Sequence, residues 1–240
     1  MEYAASPQSR ETVVAPKRED LVFLWIIAPL LAAGGAWLVK LVAGWVSSLS
    51  WAPFRGLFEL IASIPDPQAT IGALTLGGLA GMAFAYYVVR SSLTVTVSDD
   101  RVTMARGRSS QGIERTSVNT VFLDGDDLVL LGRTTEELAR EGSDMVDADR
   151  LTDAFLTHGF PWSADGDPHK HEYRRWVEDT PDLPEMANAL FKARERALKK
   201  GNDGDVADLR AELAKMGIVV REEKKRQYWR RIEQPPESLG

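Results

Sequence analysis

Hydrophobic residues are concentrated in the first ninety positions of the chain, and charged residues in the rest. An uncharged stretch runs from Leu21 to Val39, and after Lys40 the apolar pattern continues to residue 46. A helix rises 1.5 Å per residue, so this stretch is long enough to cross the roughly 30 Å hydrocarbon core of a bilayer. A second uncharged stretch runs from Thr70 to Val89. The pattern predicts a hairpin of two membrane-spanning helices, at about 21–46 and 70–89, within residues 21–90.

Two glycines of the second predicted span lie four residues apart. Gly77 and Gly81 therefore fall on one face of the helix, where they allow a second backbone to approach closely. Packing of the two spans on each other is the simpler interpretation. A homodimer formed through the Gly77/Gly81 face is the alternative.

The distribution of basic residues predicts the orientation of the hairpin. Lys17 and Arg18 precede the first span and several arginines follow the second, starting at Arg90, whereas only Lys40 and Arg55 lie between the spans. The positive-inside rule then places both termini in the cytoplasm of a multi-pass protein of the plasma membrane. Between the spans, apolar residues at helical spacing predict a short helix on the outer membrane surface: Trp51, Phe54, Leu57, Phe58 and Ile61.

After the second span the hydrophobic pattern changes to a period of two, which is typical of strands. LTVTV from Leu93 and RVTMAR from Arg101 flank the turn residues Asp99 and Asp100, which predicts a β-hairpin. Three further short strands are predicted at 111–115, 120–123 and 128–131, and helical spacing is found at 134–140 and 147–158. Residues 91–162 are thus predicted to form a small α+β domain, a β-barrel capped by a helix. This order of elements after a membrane hairpin resembles the bacterial pleckstrin-homology (PH)-like domains.

The C-terminal part has the pattern of a small helical module. After a polar linker at 163–183, apolar residues lie on one face of each of two consecutive helices, and two short strands follow around a charged turn. Gly217 ends the second helix. The module is predicted at 184–232, and residues 1–20 and 233–240 are predicted to be disordered.

The same region resembles the C-terminal anticodon-binding domain of cysteinyl-tRNA synthetases. The resemblance rests on Ala193-Arg194, Arg210 with Leu213, Gly217-Ile218 with Val220, and Trp229-Arg230. Ala207-Asp208 stands one residue closer to Arg210 than that pattern has it. In the synthetases this module contributes to tRNA recognition. The whole arrangement also resembles the uncharacterised YqeB-like membrane proteins of actinobacteria, for which no activity is implied.

The side chains of the C-terminal module permit contact with RNA, because cationic side chains pair with phosphates and aromatic side chains stack on bases. Acidic residues such as Glu195 and Asp208 interrupt this basic surface, which favours solvated helix faces as the other interpretation. The candidate RNA contacts are Lys192, Arg194, Arg196, Lys199, Lys200, Lys224, Lys225, Arg226, Trp229 and Arg230.

Composition and the absence of known motifs exclude or disfavour several classes of function. The chain has no cysteine, which excludes disulfides and thiolate chemistry, and a net charge of −6 argues against a protein that coats nucleic acid with its whole surface. No motif of a nucleotide-binding loop or a nucleophile elbow is found. His169 and His171 are too few ligands for a structural metal site, and the acidic run at 124–127 is predicted to be a turn. Acidic residues across 124–153 also disfavour binding of an anionic lipid on that face.

The sequence therefore predicts a non-enzymatic protein with no catalytic residues, cofactor or metal. Its role would be that of a membrane-anchored interaction or scaffold protein with a protein partner. The alternative is a membrane-tethered RNA-binding protein, with tRNA as the RNA, acting through the C-terminal module.

Overall fold

The computed structural model describes residues 10–47, 56, 65, 67–143, 145–224 and 226–232. The two predicted apolar segments are helices, α1 (Arg18–Ser47) and α2 (Gln68–Ser91), and both are long and apolar enough to span a membrane. The helix predicted on the outer surface lies outside the described residues, apart from position 56. The predicted disordered tail at 233–240 lies outside them as well.

Glycines of α2 set the distance between the two helices. A Cβ atom on Gly77 would lie 2.6 Å from the carbonyl oxygen of Ala32, and one on Gly81 would lie 2.5 Å from that of Ala28. Both glycines are buried against α1. The prediction that the two helices pack on each other is confirmed. The alternative homodimer through the Gly77/Gly81 face is wrong for this structure, because α1 already occupies that face.

A short strand precedes the hairpin and pairs with the first strand after it. Strand β1 (Thr12–Val14) runs antiparallel to β2 (Leu93–Val97), with Val14 opposite Val95. The hairpin is therefore an insertion between two neighbouring strands of one sheet. The prediction of disorder for residues 1–20 is wrong over Thr12–Val14, because the partner of this strand lies on the far side of the hairpin and leaves no mark on the local sequence.

Seven strands of the middle region form two antiparallel sheets, β1-β2-β3-β4 and β5-β6-β7. Among the described residues no ladder joins β4 to β7; instead Nε2 of Gln111 donates to the carbonyl oxygen of Leu138 at 3.1 Å. The predicted closed barrel is thus wrong. The helix predicted at 134–140 is also wrong, because pairing with β6 makes this segment a strand. The further strands are β3 (Arg101–Arg106), β4 (Ser109–Glu114), β5 (Thr120–Asp124), β6 (Asp127–Leu131) and β7 (Glu137–Gly142).

Helix α3 (Ala148–Thr157) covers the core between the two sheets, as predicted. The Asp147 carboxylate caps its first turn by accepting from two backbone N–H groups. Leu151, Ala154 and Phe155 join Val95 of the first sheet in one buried cluster. This middle region, with its inserted hairpin, is called the PH-like domain below.

The C-terminal module contains α4 (Glu185–Lys200), α5 (Asp203–Lys215) and a three-stranded sheet of order β8-β10-β9. The sheet consists of β8 (Arg174–Arg175), β9 (Ile218–Glu223) and β10 (Arg226–Arg231). Trp176 and Leu183 lie in the core of the module. Much of the predicted linker at 163–183 therefore belongs to the module, because β8 pairs with β10 and its side chains were too polar to predict a strand.

The glycine contact gives a test with a matched control. We expect Gly81→Ala to lower the stability of the helix pair by about 1–3 kcal/mol, because the new methyl group overlaps the backbone of α1. Gly78→Ala makes the same change in the same helix, where a Cβ meets open space, and it should not destabilise the pair. Thermal unfolding of the full chain in detergent micelles checks this. Equal effects of the two substitutions would contradict the close contact.

Candidate functional site

The PH-like domain and the C-terminal module meet through a group of charged side chains. Arg140 of β7 is mostly buried and contacts three carboxylates, with its Nη1 atom 3.1 Å from Asp124 and 2.9 Å from Asp127, and its Nε atom 2.9 Å from Glu137. The module contributes Arg210, 2.9 Å from Glu137, and Arg221, 2.8 Å from Asp124. We call these six residues, Asp124, Asp127, Glu137, Arg140, Arg210 and Arg221, the junction network.

Electrostatics within the junction network keep its central carboxylate charged. Burial alone would raise the pKa of Glu137, but the guanidinium groups of Arg210 and Arg140 lower it below its ordinary value. The pKa of Arg140 is raised, because the surrounding carboxylates outweigh the burial of its own charge. The predicted turn at 124–127 is confirmed, since it connects β5 to β6, and it also supplies two carboxylates that the sequence alone did not assign to an interface.

A second contact inserts an arginine of the module into the PH-like domain. Nη1 of Arg230 donates to Oγ1 of Thr135 at 2.9 Å, and Nη2 donates to the carbonyl oxygen of the same residue at 2.7 Å. The guanidinium carbon lies 5.5 Å from the centre of the Tyr173 ring. Burial raises the pKa of Tyr173 to about 12, so this phenol stays neutral at physiological pH.

Apolar residues lie next to these polar contacts. Phe122, Val129 and Leu131 form a small buried cluster on the face of the second sheet that points away from the main core of the PH-like domain. In β9 of the module, the side chain of Val220 belongs to the core of the module. The side chain of Val219, the preceding residue in the same strand, is not part of that core but is also buried. Alternate side chains of a strand point to opposite faces. We therefore regard the two sheets and α3 of the PH-like domain, together with the module, as one body, which we call the soluble body.

The structure separates the candidate RNA contacts into two groups. Arg194, Trp229 and Arg230 are buried, so the prediction that they contact RNA is wrong for this conformation. Arg194 donates instead to Gln227 at 2.9 Å and pairs with Glu222. Exposed cations remain on the last turns of α4 and around the turn between β9 and β10, and we call them the basic cluster: Arg196, Lys199, Lys200, Lys224 and Arg226. Lys192 pairs with Glu178, and Lys225 lies outside the described residues.

A buried histidine that sequence reasoning missed connects three distant elements. His158 follows α3, and its side chain is fully buried. Its Nδ1 atom lies 2.6 Å from Oδ1 of Asp99, and its Nε2 atom lies 2.8 Å from Oγ1 of Thr12. This contact holds β1 against the turn between β2 and β3. No local motif signals it, because its partners lie in distant parts of the chain.

The other histidines make no comparable cluster. Nδ1 of His169 lies 2.7 Å from Oε1 of Glu172. Within the described ranges no group of three or more His, Asp or Glu side chains is placed to hold a metal ion. The absence of a metal therefore stays a prediction.

The junction network predicts a specific dependence of stability on pH. The pKa of Glu137 is lower in the folded than in the unfolded chain, so its charge stabilises the fold above the ordinary glutamate pKa near 4.3, and this contribution is lost as the pH falls through the lowered value. We expect Glu137→Gln to lower the free energy of unfolding by about 3–5 kcal/mol at pH 7 and to weaken the acid dependence, because it removes the carboxylate that pairs with both Arg140 and Arg210 at the junction. Urea unfolding of the full chain in detergent, followed by tryptophan fluorescence, measures both.

Glu212→Gln is the matched control for this substitution. Glu212 forms an exposed pair with Lys215, and such pairs contribute about 0–1 kcal/mol. Similar losses for the two variants would show that the junction network has no special part in stability.

Comparison with known proteins follows the division seen in the structure. Residues 12–163 match the family model of the YqeB-like bacterial PH domain, and residues 180–230 match that of the anticodon binding domain of cysteinyl-tRNA ligase. The chain is 36% identical over 228 residues, 95% of each chain, to an uncharacterized protein, YqeB of Bacillus subtilis strain 168. The relative comes from Bacillus, so the expected actinobacterial source is not shown. No solved structure matches the chain.

The first matched range begins at β1 and ends after α3, so it contains the helical hairpin as well as both sheets. It covers more than half of the chain, and the relative extends the similarity to the C-terminal module. The chain therefore belongs to the family of YqeB-like bacterial PH domain proteins.

Proposed function

We propose that this protein is a non-enzymatic, membrane-anchored interaction protein whose helical hairpin holds the soluble body at the cytoplasmic face of the plasma membrane. The exposed apolar surface of α1 and α2 is the observation that carries this proposal. The two helices pack on each other and leave their other faces uncovered within the described part of the chain. Large apolar side chains on these faces are more than half exposed, including Phe23, Leu31, Trp45, Leu76 and Tyr87.

A bilayer accounts for this surface. In water, contiguous apolar patches of this kind are rare on soluble proteins. In lipid, a helix satisfies its own backbone hydrogen bonds and loses nothing by exposing leucine or phenylalanine. The uncharged length of each helix matches the thickness of the hydrocarbon core.

The topology of the first sheet supports one orientation of the hairpin. Because β1 and β2 are neighbours in a single sheet, the beginning of α1 and the end of α2 lie on the same side of the membrane. Lys17 and Arg18 next to one helix end and Arg90 next to the other favour the cytoplasm for that side. The soluble body, which continues from β2 to the end of the module, then lies there too.

The scaffold role is supported by the firm connection between the two soluble parts. The junction network and the contact between Arg230 and Thr135 hold them as one body, which presents a single surface to a partner. Neither matched domain is a catalytic domain. We infer binding of a protein partner, not turnover of a substrate.

The orientation can be tested in a chain that contains no cysteine of its own. We expect a Gly56→Cys variant to react with a membrane-impermeant maleimide in intact cells, because residue 56 lies between the two spans. A Ser109→Cys variant, with the cysteine in the PH-like domain, should react only after the cells are permeabilised. The reverse labelling pattern would contradict the proposed orientation, and labelling of both variants in intact cells would contradict the membrane hairpin.

Binding of RNA is the second candidate function. The match of residues 180–230 to an anticodon binding domain favours it. The basic cluster supplies exposed cations, and its lysines and arginines could meet the phosphates of a tRNA. The loss of Arg194, Trp229 and Arg230 to the interior leaves this surface without an exposed tryptophan for stacking, so electrostatic contact with phosphates would dominate.

This candidate makes a quantitative prediction. The purified full chain in lipid nanodiscs should bind bulk tRNA with an affinity that falls steeply with salt, and Lys199→Gln with Lys200→Gln should weaken binding and reduce the salt slope by about one to two. Fluorescence anisotropy with labelled tRNA measures both. As a control, Arg174→Gln with Lys215→Gln removes two exposed charges of the module outside the basic cluster. Absent or salt-independent binding would exclude the RNA function.

A further inference from the structure

A cavity of about 770 Å³ opens at the end of the PH-like domain that is remote from the membrane helices. Strand β2 starts directly after α2 and carries the chain, over roughly 17 Å, to the turn that contains Asp99 and Asp100. This turn forms one wall of the cavity. The helical turn Arg115–Ser117 and the segment from Gly159 to Pro161 form others. The cavity is separate from the junction network and from the basic cluster.

Three arginines line the cavity without a carboxylate partner. Arg101, Arg115 and Arg133 form no ion pair with any residue that the structure describes, whereas Arg106 and Arg140 of the same domain do. Arg101 and Arg133 are exposed to solvent. A guanidinium that is not paired with a carboxylate can form charge-assisted hydrogen bonds to an anion.

Two of these guanidinium groups are held in place by neutral contacts. Nη1 of Arg115 donates to the carbonyl oxygen of Asp99 at 3.3 Å, and the group lies 5.9 Å from the centre of the Phe160 ring. Gly159 has a φ of +68°, and a Cβ atom at this position would lie 3.0 Å from the Nη2 atom of Arg115. Nη2 of Arg133 donates to the carbonyl oxygen of Thr116 at 3.0 Å. Each guanidinium has five N–H donors, so donors remain for a ligand.

Three carboxylates, those of Asp99, Asp100 and Glu114, line the same cavity. Asp99 contacts His158, and the hydroxyl of Ser98 donates to Asp100 and lowers its pKa. Glu114 lies directly opposite Arg101 in the pairing of β3 with β4, but the two side chains form no ion pair. A ligand that carries an anionic group together with hydroxyl or amino donors matches this set of lining side chains.

We propose that this cavity binds a soluble phosphate compound, either inorganic phosphate or a nucleoside monophosphate, through Arg101, Arg115 and Arg133. Three guanidinium groups around one space suit the three oxygens of a phosphate, whereas one arginine is enough for a carboxylate. The distance from α1 and α2 disfavours a lipid headgroup. The volume lies within the range of about 300–1000 Å³ that is usual for small-molecule sites. This binding is independent of both functions proposed above.

Isothermal titration calorimetry of the full chain in nanodiscs, with inorganic phosphate and adenosine monophosphate as separate probes, tests the proposal. Arg101→Gln with Arg133→Gln should weaken binding at least tenfold, because each substitution removes a charge-assisted hydrogen bond. Arg174→Gln with Arg175→Gln removes two exposed arginines of the C-terminal module and should change affinity less than twofold. Arg115 is left intact because it packs on Phe160.

The two probes distinguish the two sources of phosphate. Equal affinities indicate recognition of the phosphate group alone, and tighter binding of the nucleotide indicates that the lining carboxylates contact the nucleoside. If the double variant unfolds, the single substitution Arg133→Gln, at an exposed side chain, should still weaken binding threefold or more. Absence of binding at millimolar concentrations, or an equal loss in the control variant, overturns the proposal.

Discussion

The pairing of β1 with β2 is the contact on which the architecture depends. It joins two segments that are separated in the sequence by the whole hairpin, and it makes α1 and α2 an insertion in a sheet instead of an N-terminal anchor. His158 reinforces this pairing, since it holds Thr12 of β1 and Asp99 beyond β2. Opposite the start of β2, next to the end of α2, Arg106 donates to the carbonyl oxygen of Ser91 at 2.7 Å and to Glu141 at 3.0 Å. The end of the second helix is thereby tied to both sheets.

Charge organises the rest of the soluble body. Many acidic residues lie between 124 and 153, and several of their side chains form ion pairs with arginines from the same domain and from the module. Two arginines that the sequence offered as RNA contacts also bind other residues of the protein. Arg194 donates to Gln227 inside the module, and Arg230 donates to Thr135 at the junction with the PH-like domain. Exposed charge is therefore a smaller fraction of the total than the sequence suggests. The basic cluster and the distant arginine cavity are two of the places where charge remains on the surface.

The elements that could be predicted are those with a strong local pattern. Each of these patterns is visible within a few neighbouring residues. They are the uncharged lengths of α1 and α2, the period of two in β2 and β3, and the apolar face of α3. Several of the errors concern contacts between distant residues. Strand β1 and strand β8 depend on partners far along the chain, and β7 has adjacent apolar residues, Leu138 and Ala139, that fit a helix as well as a strand. The burial of Arg194 and Arg230 could not be predicted either, because a lysine- and arginine-rich segment gives no sign of which charges find an internal acceptor.

The insertion of the hairpin between two paired strands also determines how the domain is attached and in which order it is made. The two sheets are connected to the hairpin at two points, through β1 and through β2, so a single cut of the chain at either helix end leaves the other connection in place. During synthesis β1 emerges before its partner, and the first sheet cannot close until both helices have been produced. Completion of the hairpin thus comes before folding of the domain that it holds.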